Sequence, residues 1–237
     1  MKLAILAYHK VDTVPPGAQY PGNYVLPEQF DSQLAALKRW GFRSIAFSQY
    51  LNFRSDQRSL PSRPIIITFD DGYRTTLTTA APILRKYGFR ATIFLVTDSI
   101  GQTNSWDPDE IQEPLLGAGE IREMQQDCFA FGSHTRSHVH LPALAPGAAE
   151  EQLTSAKAAL GTLLGSEPAI LAYPYAEHTE ETRSLARKAG YRAAVGIRRR
   201  LNSERTDLFA LNRIPVSLGT SIARFQWDLF RLRWRGE

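Results

Sequence analysis

The sequence predicts an α/β fold, one distorted, TIM-like (β/α) barrel with about seven strand–helix units. Three observations predict it. Short apolar runs rich in β-branched residues, such as Ile65-Ile66-Ile67, recur without polar alternation, the pattern of parallel strands covered on both faces. Segments of helical periodicity separate these runs at regular intervals, which requires right-handed crossovers between parallel strands. No composition shift marks a boundary in the 237 residues, so residues 1–237 read as one domain. Closure into a barrel turns the carboxyl end of every strand toward one mouth.

The N-terminal run Met1 to His9 reads as the first strand, with His9 at its carboxyl end. Its apolar run is too short for a signal-peptide core and lacks a small-residue cleavage site. The expected location is therefore cytoplasmic, or extracytoplasmic if a leader has been removed. Pro15-Pro16-Gly17 and Pro21-Gly22 mark an irregular, exposed loop. A helix follows, with Pro27 in its first turn, Phe30, Leu34 and Leu37 at helical spacing and Gly41 as its left-handed cap. Ile45-Ala46-Phe47 reads as a short strand, with Ser48 capping a short helix before the central strand from Pro64. Further helices are expected over Tyr73 to Tyr87, Asp109 to Gln126, Pro146 to Leu164 and Thr179 to Gly190. Strands are expected over Ala91 to Val96, Phe129 to Phe131, Ala169 to Ala172 and Arg192 to Ile197. A last helix, Ser221 to Trp234, carries Ile222, Phe225, Leu229 and Leu232 on one side and Arg224, Arg231 and Arg235 elsewhere. Packing of its apolar side on the barrel is expected rather than a place on a membrane surface.

Composition excludes several classes. With 43% hydrophobic and 22% charged residues the chain is not disordered, and no run approaches the ~18 apolar residues of a membrane span. The single cysteine, Cys128, excludes an internal disulfide and every multi-cysteine metal site. The net charge of +4 is modest, and Arg198-Arg199-Arg200 lacks the interleaved aromatics of a nucleic-acid platform. A solvated loop, with no nucleic-acid partner, is the expectation.

The central strand ends in Thr68-Phe69-Asp70-Asp71-Gly72. Two carboxylates at the mouth of so apolar a strand need a cation, although Asp-Asp-Gly alone is also ordinary turn chemistry. A second cluster, Gly132-Ser133-His134-Thr135-Arg136-Ser137-His138, follows another strand. Two imidazoles four residues apart on a turn of helix share one face, and the predicted barrel brings them to the same mouth. Two histidines and one carboxylate make a three-ligand site with an open position, as in catalytic zinc centres. In Ala172-Tyr173-Pro174-Tyr175 the proline stops a strand and fixes the backbone, so that the Tyr175 N–H can serve an oxyanion hole. Tyrosines packing the rim are the alternative.

These three segments resemble the first three motifs of the polysaccharide deacetylase family, the NodB-homology carbohydrate esterases. Tyr8-His9, Pro64 to Thr68 and Ala91 to Val96 are most similar to the branch acting on poly-β-1,6-N-acetylglucosamine. The resemblance covers roughly Leu3 to Val216. It implies a NodB-like catalytic domain that hydrolyses the N-acetyl amides of N-acetylglucosamine in a polysaccharide or glycoconjugate. It further implies Asp71, His134 and His138 as ligands of a divalent metal, usually zinc, and Asp70 as general base. An N-acetylated oligo- or polysaccharide is the implied partner.

Two departures from the family pattern concern the catalytic groups. The third motif often begins with an arginine that pairs with the base, and here that place holds Ala172; Arg213 is the candidate substitute, a surface arginine the alternative. The general-acid histidine that the family carries near its C-terminus is matched by His9, because the resembling branch moves it to the N-terminal strand. His178 is expected to face solvent and His140 to be structural. Trp106 could stack on a sugar or pack the rim. A catalytically inactive carbohydrate-binding protein on the same barrel is the competing function.

Overall fold

A computed structural model describes residues 2–56 and 58–234, with side chains to residue 230. Seven parallel strands form the barrel wall: β1 (Ala4–Tyr8), β2 (Pro64–Phe69), β3 (Ala91–Leu95), β4 (Phe129–Ser133), β5 (Ile170–Ala172), β6 (Ala193–Val195) and β7 (Ile214–Pro215). Their order is β7-β1-β2-β3-β4-β5-β6, chain order with the last strand beside the first. The sheet curls through 244°. A single parallel bridge, Val195 to Leu211, links β6 to the segment that runs on into β7. The family-like barrel expected from the sequence is thus observed, in partly open form.

Seven helices surround the sheet: α1 (Pro27–Arg39), α2 (Phe47–Asp56), α3 (Ala81–Tyr87), α4 (Ala118–Gln125), α5 (Pro146–Leu164), α6 (Glu180–Lys188) and α7 (Ile222–Trp234). Among the described residues none is long and apolar enough to cross a membrane. Alternate strand residues serve different layers, as a period of two requires. Leu6, Tyr8, Ile65, Ile67, Phe69 and Ile93 pack among the helices, whereas Ile5, Ile66 and Phe94 join a second cluster with Phe47, Tyr50 and Leu51 of α2.

Phe94 fills that second cluster and leaves no room beside it. A Cβ at Gly132 would lie 2.6 Å from the Phe94 ring and 3.0 Å from the Ile170 carbonyl oxygen. Gly132→Ala is therefore expected to cost about 1–3 kcal/mol through overpacking, read as a lower midpoint in chemical denaturation.

Four elements differ from the expectation. The short strand expected at Ile45-Ala46-Phe47 is Arg43–Ser44, two residues early and paired with Pro64 and Ile65 of β2, and Phe47 already opens α2. Gln49, rather than Ser48, caps that helix by accepting the Ala46 N–H at 2.9 Å. The segment before α3 is wound as a π turn, Thr76–Ala80; Pro82 has no N–H to offer Thr78, and its ring crowds the carbonyl four residues back. Residues 109–117 are a loop, because Pro114 cannot donate and Glu110 and Glu113 are engaged by distant partners. In α7, Phe225 and Leu229 are buried and Phe225 stacks on Trp40, so the helix packs on the barrel. Arg235, expected on its polar side, lies outside the described residues, as do the side chains of Arg231 and Leu232.

Candidate active site

The ladder of backbone bonds continues past the strands into the loops of the mouth. Asp70 N–H donates to Tyr8 O at 2.9 Å, His134 N–H to Leu95 O at 2.8 Å and Tyr173 N–H to Val195 O at 3.1 Å. The residues that follow are therefore fixed at one level by the sheet itself. Asp71 then reverses the chain with φ 71°, followed by Gly72 at φ 78°. Glycine is required at 72, since a Cβ would meet Leu95 Cδ2 at 2.7 Å. This immediate reversal sends two adjacent carboxylates into different surroundings.

His134 and His138 stand on an irregular turn, not on the turn of helix expected. Thr135 N–H donates to Ser133 Oγ (3.3 Å) and His138 N–H to Thr135 Oγ1 (3.1 Å), so side-chain oxygens take the donors a helix would use. Thr135 (φ 66°) and His138 (φ 55°) are left-handed. With Asp71, Tyr175 and Ala176 they are the five non-glycine residues of positive φ among those described, and all lie in these loops. Backbone strain of this kind concentrates where geometry is being imposed by the surrounding fold.

Asp71, His134 and His138 converge. Asp71 Oδ1 is 3.4 Å from His134 Nε2 and 3.3 Å from His138 Nε2, and all three residues are buried. Two bonds of about 2.1 Å at a tetrahedral angle span roughly 3.4 Å, so the separations suit a zinc-sized ion. The donor chemistry agrees. His134 Nδ1 lies 2.8 Å from Ala172 O, which can only accept; Nδ1 therefore carries a hydrogen, and Nε2, turned toward the Asp71 carboxylate, is the atom a neutral ring would offer to a metal. Asp71 Oδ1 is buried with no hydrogen-bond partner. The two Nε2 atoms and this oxygen are a donor set that could hold a divalent cation. Burial opposes ionisation of Asp71, yet the two imidazoles hold its carboxyl well below the usual range. Burial also opposes charge on His134, but contact with Asp71 and the charge of Asp70 raise it, whereas His138 is lowered chiefly by burial.

Asp70 meets Arg213 instead. The guanidinium is fully buried and bidentate, with Nη1 to Oδ1 at 2.6 Å and Nη2 to Oδ2 at 2.8 Å. Its Nε donates to Gly196 O (3.0 Å) and Nη1 also reaches Thr68 Oγ1 (3.1 Å). Burial would raise the Asp70 pKa, but the charge and hydrogen bonds of Arg213, together with the nearby imidazoles of His134 and His9, hold the carboxyl below the usual range. His9 Nε2 stands 3.9 Å from Asp70 Oδ2.

Residues 57–194 match the model of the family described as polysaccharide deacetylase. The chain belongs to the polysaccharide deacetylase family. It is 28% identical over 226 residues to YxkH of Bacillus subtilis, covering 94% of this chain and 75% of that one. It is 26% identical over 234 residues to the poly-β-1,6-N-acetyl-D-glucosamine N-deacetylase of Staphylococcus epidermidis, covering 90% and 78%. The deacetylase PplD of Streptococcus pyogenes, solved with acetate, superposes with a TM-score of 0.85 at 25% identity, over 97% of this chain and 98% of that one.

The deacetylase mouth holds a cavity of about 350 Å³ above the two aspartates, walled by His9, Tyr20, Asn23, Asp107, Tyr175 and Ile197 among others. Tyr175 and Ala176, at φ 56° and 59°, follow Pro174 and turn the chain sharply over the imidazoles. Burial pushes the Tyr175 phenol up to about 12, so it stays neutral. Its ring meets His138 edge-on at 4.7 Å and lies flat on His140 at 3.7 Å. Trp106 stacks on His138 at 4.7 Å, so one of its faces is already taken. His140, expected to be structural, is exposed and paired with Glu177 at 2.9 Å. His178, expected in solvent, is half-buried against Tyr173; its ring would lie only 3.3 Å from a Cβ at Gly196.

Sequence reasoning missed the wall around the cavity. Lys10, 1% exposed, pairs with Glu113, donates to Tyr24 Oη (3.1 Å) and lies over the rings of Tyr24 and Tyr73. Glu110 accepts the N–H groups of Gln19 (3.2 Å) and Tyr20 (2.7 Å). These contacts fasten the loop bearing Tyr20 to the loop bearing Trp106 and Asp107. The one local hint was Lys10 itself, a lysine next to His9 directly after the first strand.

Proposed function

We propose that this deacetylase is a metal-dependent hydrolase that removes N-acetyl groups from N-acetylglucosamine units of a polysaccharide, with zinc as the metal. The observation that carries this reading is the convergence of Asp71, His134 and His138 on one point, with Asp70 ionised beside it. The name of the Staphylococcus epidermidis relative supports a β-1,6-linked substrate.

A divalent ion held by Asp71, His134 and His138 would supply Lewis acidity toward water and the acetyl carbonyl. Asp70 takes a proton from the attacking water. Its bidentate tie to Arg213 uses one lone pair on each oxygen and leaves another free for this transfer. The acetyl carbon gains a C–O bond, and the Tyr175 N–H, turned by the strained backbone after Pro174, donates to the developing oxyanion. His9, on the other side of Asp70, gives a proton to the sugar nitrogen as the C–N bond breaks. Acetate and a free amine result, and water is consumed.

The test is acetate release from β-1,6-linked N-acetylglucosamine oligomers. Release is expected to stop on chelation and return with zinc, and Asp70→Asn is expected to lower it by about 10²–10⁴-fold. Oligomer binding without acetate under any divalent metal would contradict the hydrolase and favour the carbohydrate-binding reading.

A further inference from the structure

The cavity has a buried floor and an open rim. Asp71 is 6% exposed at the floor, whereas Tyr20, on the wall of the same cavity, is 51% exposed. A sugar unit whose acetamide reaches the floor leaves the next unit of its chain at the rim. A singly exposed tyrosine is ordinary on a protein surface. Tyr20 differs in how its backbone is held. Glu110, itself buried, accepts the Tyr20 N–H at 2.7 Å and the Gln19 N–H at 3.2 Å. Burial opposes ionisation of Glu110, yet the N–H groups of Ile111, Tyr20 and Gln19 and the charge of Lys10 hold its carboxyl below the usual range. After the ring, Tyr20 O accepts from Asn23 N–H (3.0 Å) across the turn Pro21–Asn23. Tyr24 and Val25 then pair in parallel with Lys10 and Val11, and Tyr24 Oη donates to Glu113 at 2.8 Å. The loop is thus tied on both sides of a ring that stays bare. Tyr175 is backed by His140 and Trp106 by His138, whereas among the described residues no aromatic ring stacks on Tyr20. A fixed aromatic face loses little freedom when a ligand lies on it, and its negative π-cloud attracts C–H groups. A β-linked glucosamine ring offers that surface, because its ring hydroxyls and amide are equatorial and axial C–H groups cover its faces.

We propose that Tyr20 stacks on the sugar unit next to the one being hydrolysed, so that chains are selected over single sugars at this residue. This rests on the N-acetylglucosamine reading given above. The contact is made by the face of the ring, and the phenol hydroxyl is dispensable.

Steady-state acetate release from a β-1,6-linked N-acetylglucosamine tetramer by the zinc-loaded full chain decides it, with free N-acetylglucosamine as a competitive inhibitor in the same assay. Tyr20→Ala is expected to raise KM for the tetramer roughly three- to tenfold, the worth of one aromatic contact, with kcat changed by less than about twofold. The inhibition constant of the single sugar should not move, because that sugar occupies the floor alone. Tyr20→Phe should keep KM near that of the unaltered chain. Tyr20→Trp should also keep KM low, and the emission of the protein should shift to the blue as tetramer saturates it. Because Tyr20 is exposed, the denaturation midpoint should stay the same in all three variants. An equal rise in the tetramer KM and in the single-sugar inhibition constant would place Tyr20 on the reacting unit and overturn the proposal. An unchanged tetramer KM in Tyr20→Ala would overturn it as well, and so would a KM in Tyr20→Phe as high as in Tyr20→Ala, which would assign the contact to the hydroxyl. These outcomes leave the deacetylase substrate reading intact. No acetate from the tetramer with the unaltered chain would overturn both.

Discussion

Replacing His134 with alanine is expected to lower zinc affinity by more than about 100-fold and acetate release to background. Loss of an outer partner of a metal-bound histidine costs 10–100-fold, and here a ligand itself is removed. The same change orphans a buried acceptor, the Ala172 carbonyl, at a further cost of about 1–3 kcal/mol in stability. His138→Ala should reduce metal affinity comparably with a smaller stability loss, because His138 Nδ1 has no hydrogen-bond partner to orphan. Competition with a chromophoric chelator and a denaturation curve separate the two effects.

Arg213→Met is the second large change. In the folded chain the Arg213 charge holds the Asp70 pKa below its unfolded value. That stabilisation is present above the unfolded pKa and is lost as pH falls through the folded one. Without the guanidinium, burial is opposed only by the charges of His134 and His9 and is expected to lift the Asp70 pKa above its unfolded value, so the sign reverses. The variant should be destabilised by about 3–5 kcal/mol near neutrality, the cost of a buried charge without its partner. It should regain part of this on acidification as Asp70 takes up a proton. The acid limb of the rate profile should move to higher pH by the same cause. Arg213→Lys keeps the charge without the fork, so it should fall between the two. An unchanged acid limb in Arg213→Met would show that Asp70 is not the group whose ionisation limits the rate.

The parts of this molecule that were legible in its sequence are those where local pattern and tertiary role agree. Ile65-Ile66-Ile67 is β-branched and fully buried, so a strand was the reading that propensity and burial both favour. Asp70-Asp71 and the His134/His138 pair were visible as chemistry because each follows such a strand, and the barrel does the rest. The histidine turn itself was not legible as a turn, because Ser133 and Thr135 divert the backbone donors only in that context. Residues 109–117 were misread as helix for a related reason. Glu110 and Glu113 suit a helix, yet they are spent on Tyr20 and Lys10, some hundred residues earlier in the chain, and nothing in the local sequence announces those partners. Asp107 was overlooked beside the more conspicuous Trp106.

The proposed hydrolase needs one ion shared by Asp71, His134 and His138. Crystals grown with zinc, with data collected on both sides of the zinc absorption edge, test it most directly. The expected result is a single strong anomalous peak at about 2.0–2.2 Å from a carboxylate oxygen of Asp71 and the Nε2 atoms of His134 and His138, with Asp70 outside bonding distance on Arg213. Acetate release from a crystal-quality preparation whose zinc lies elsewhere, or is bound by Asp70 in place of Asp71, would contradict it.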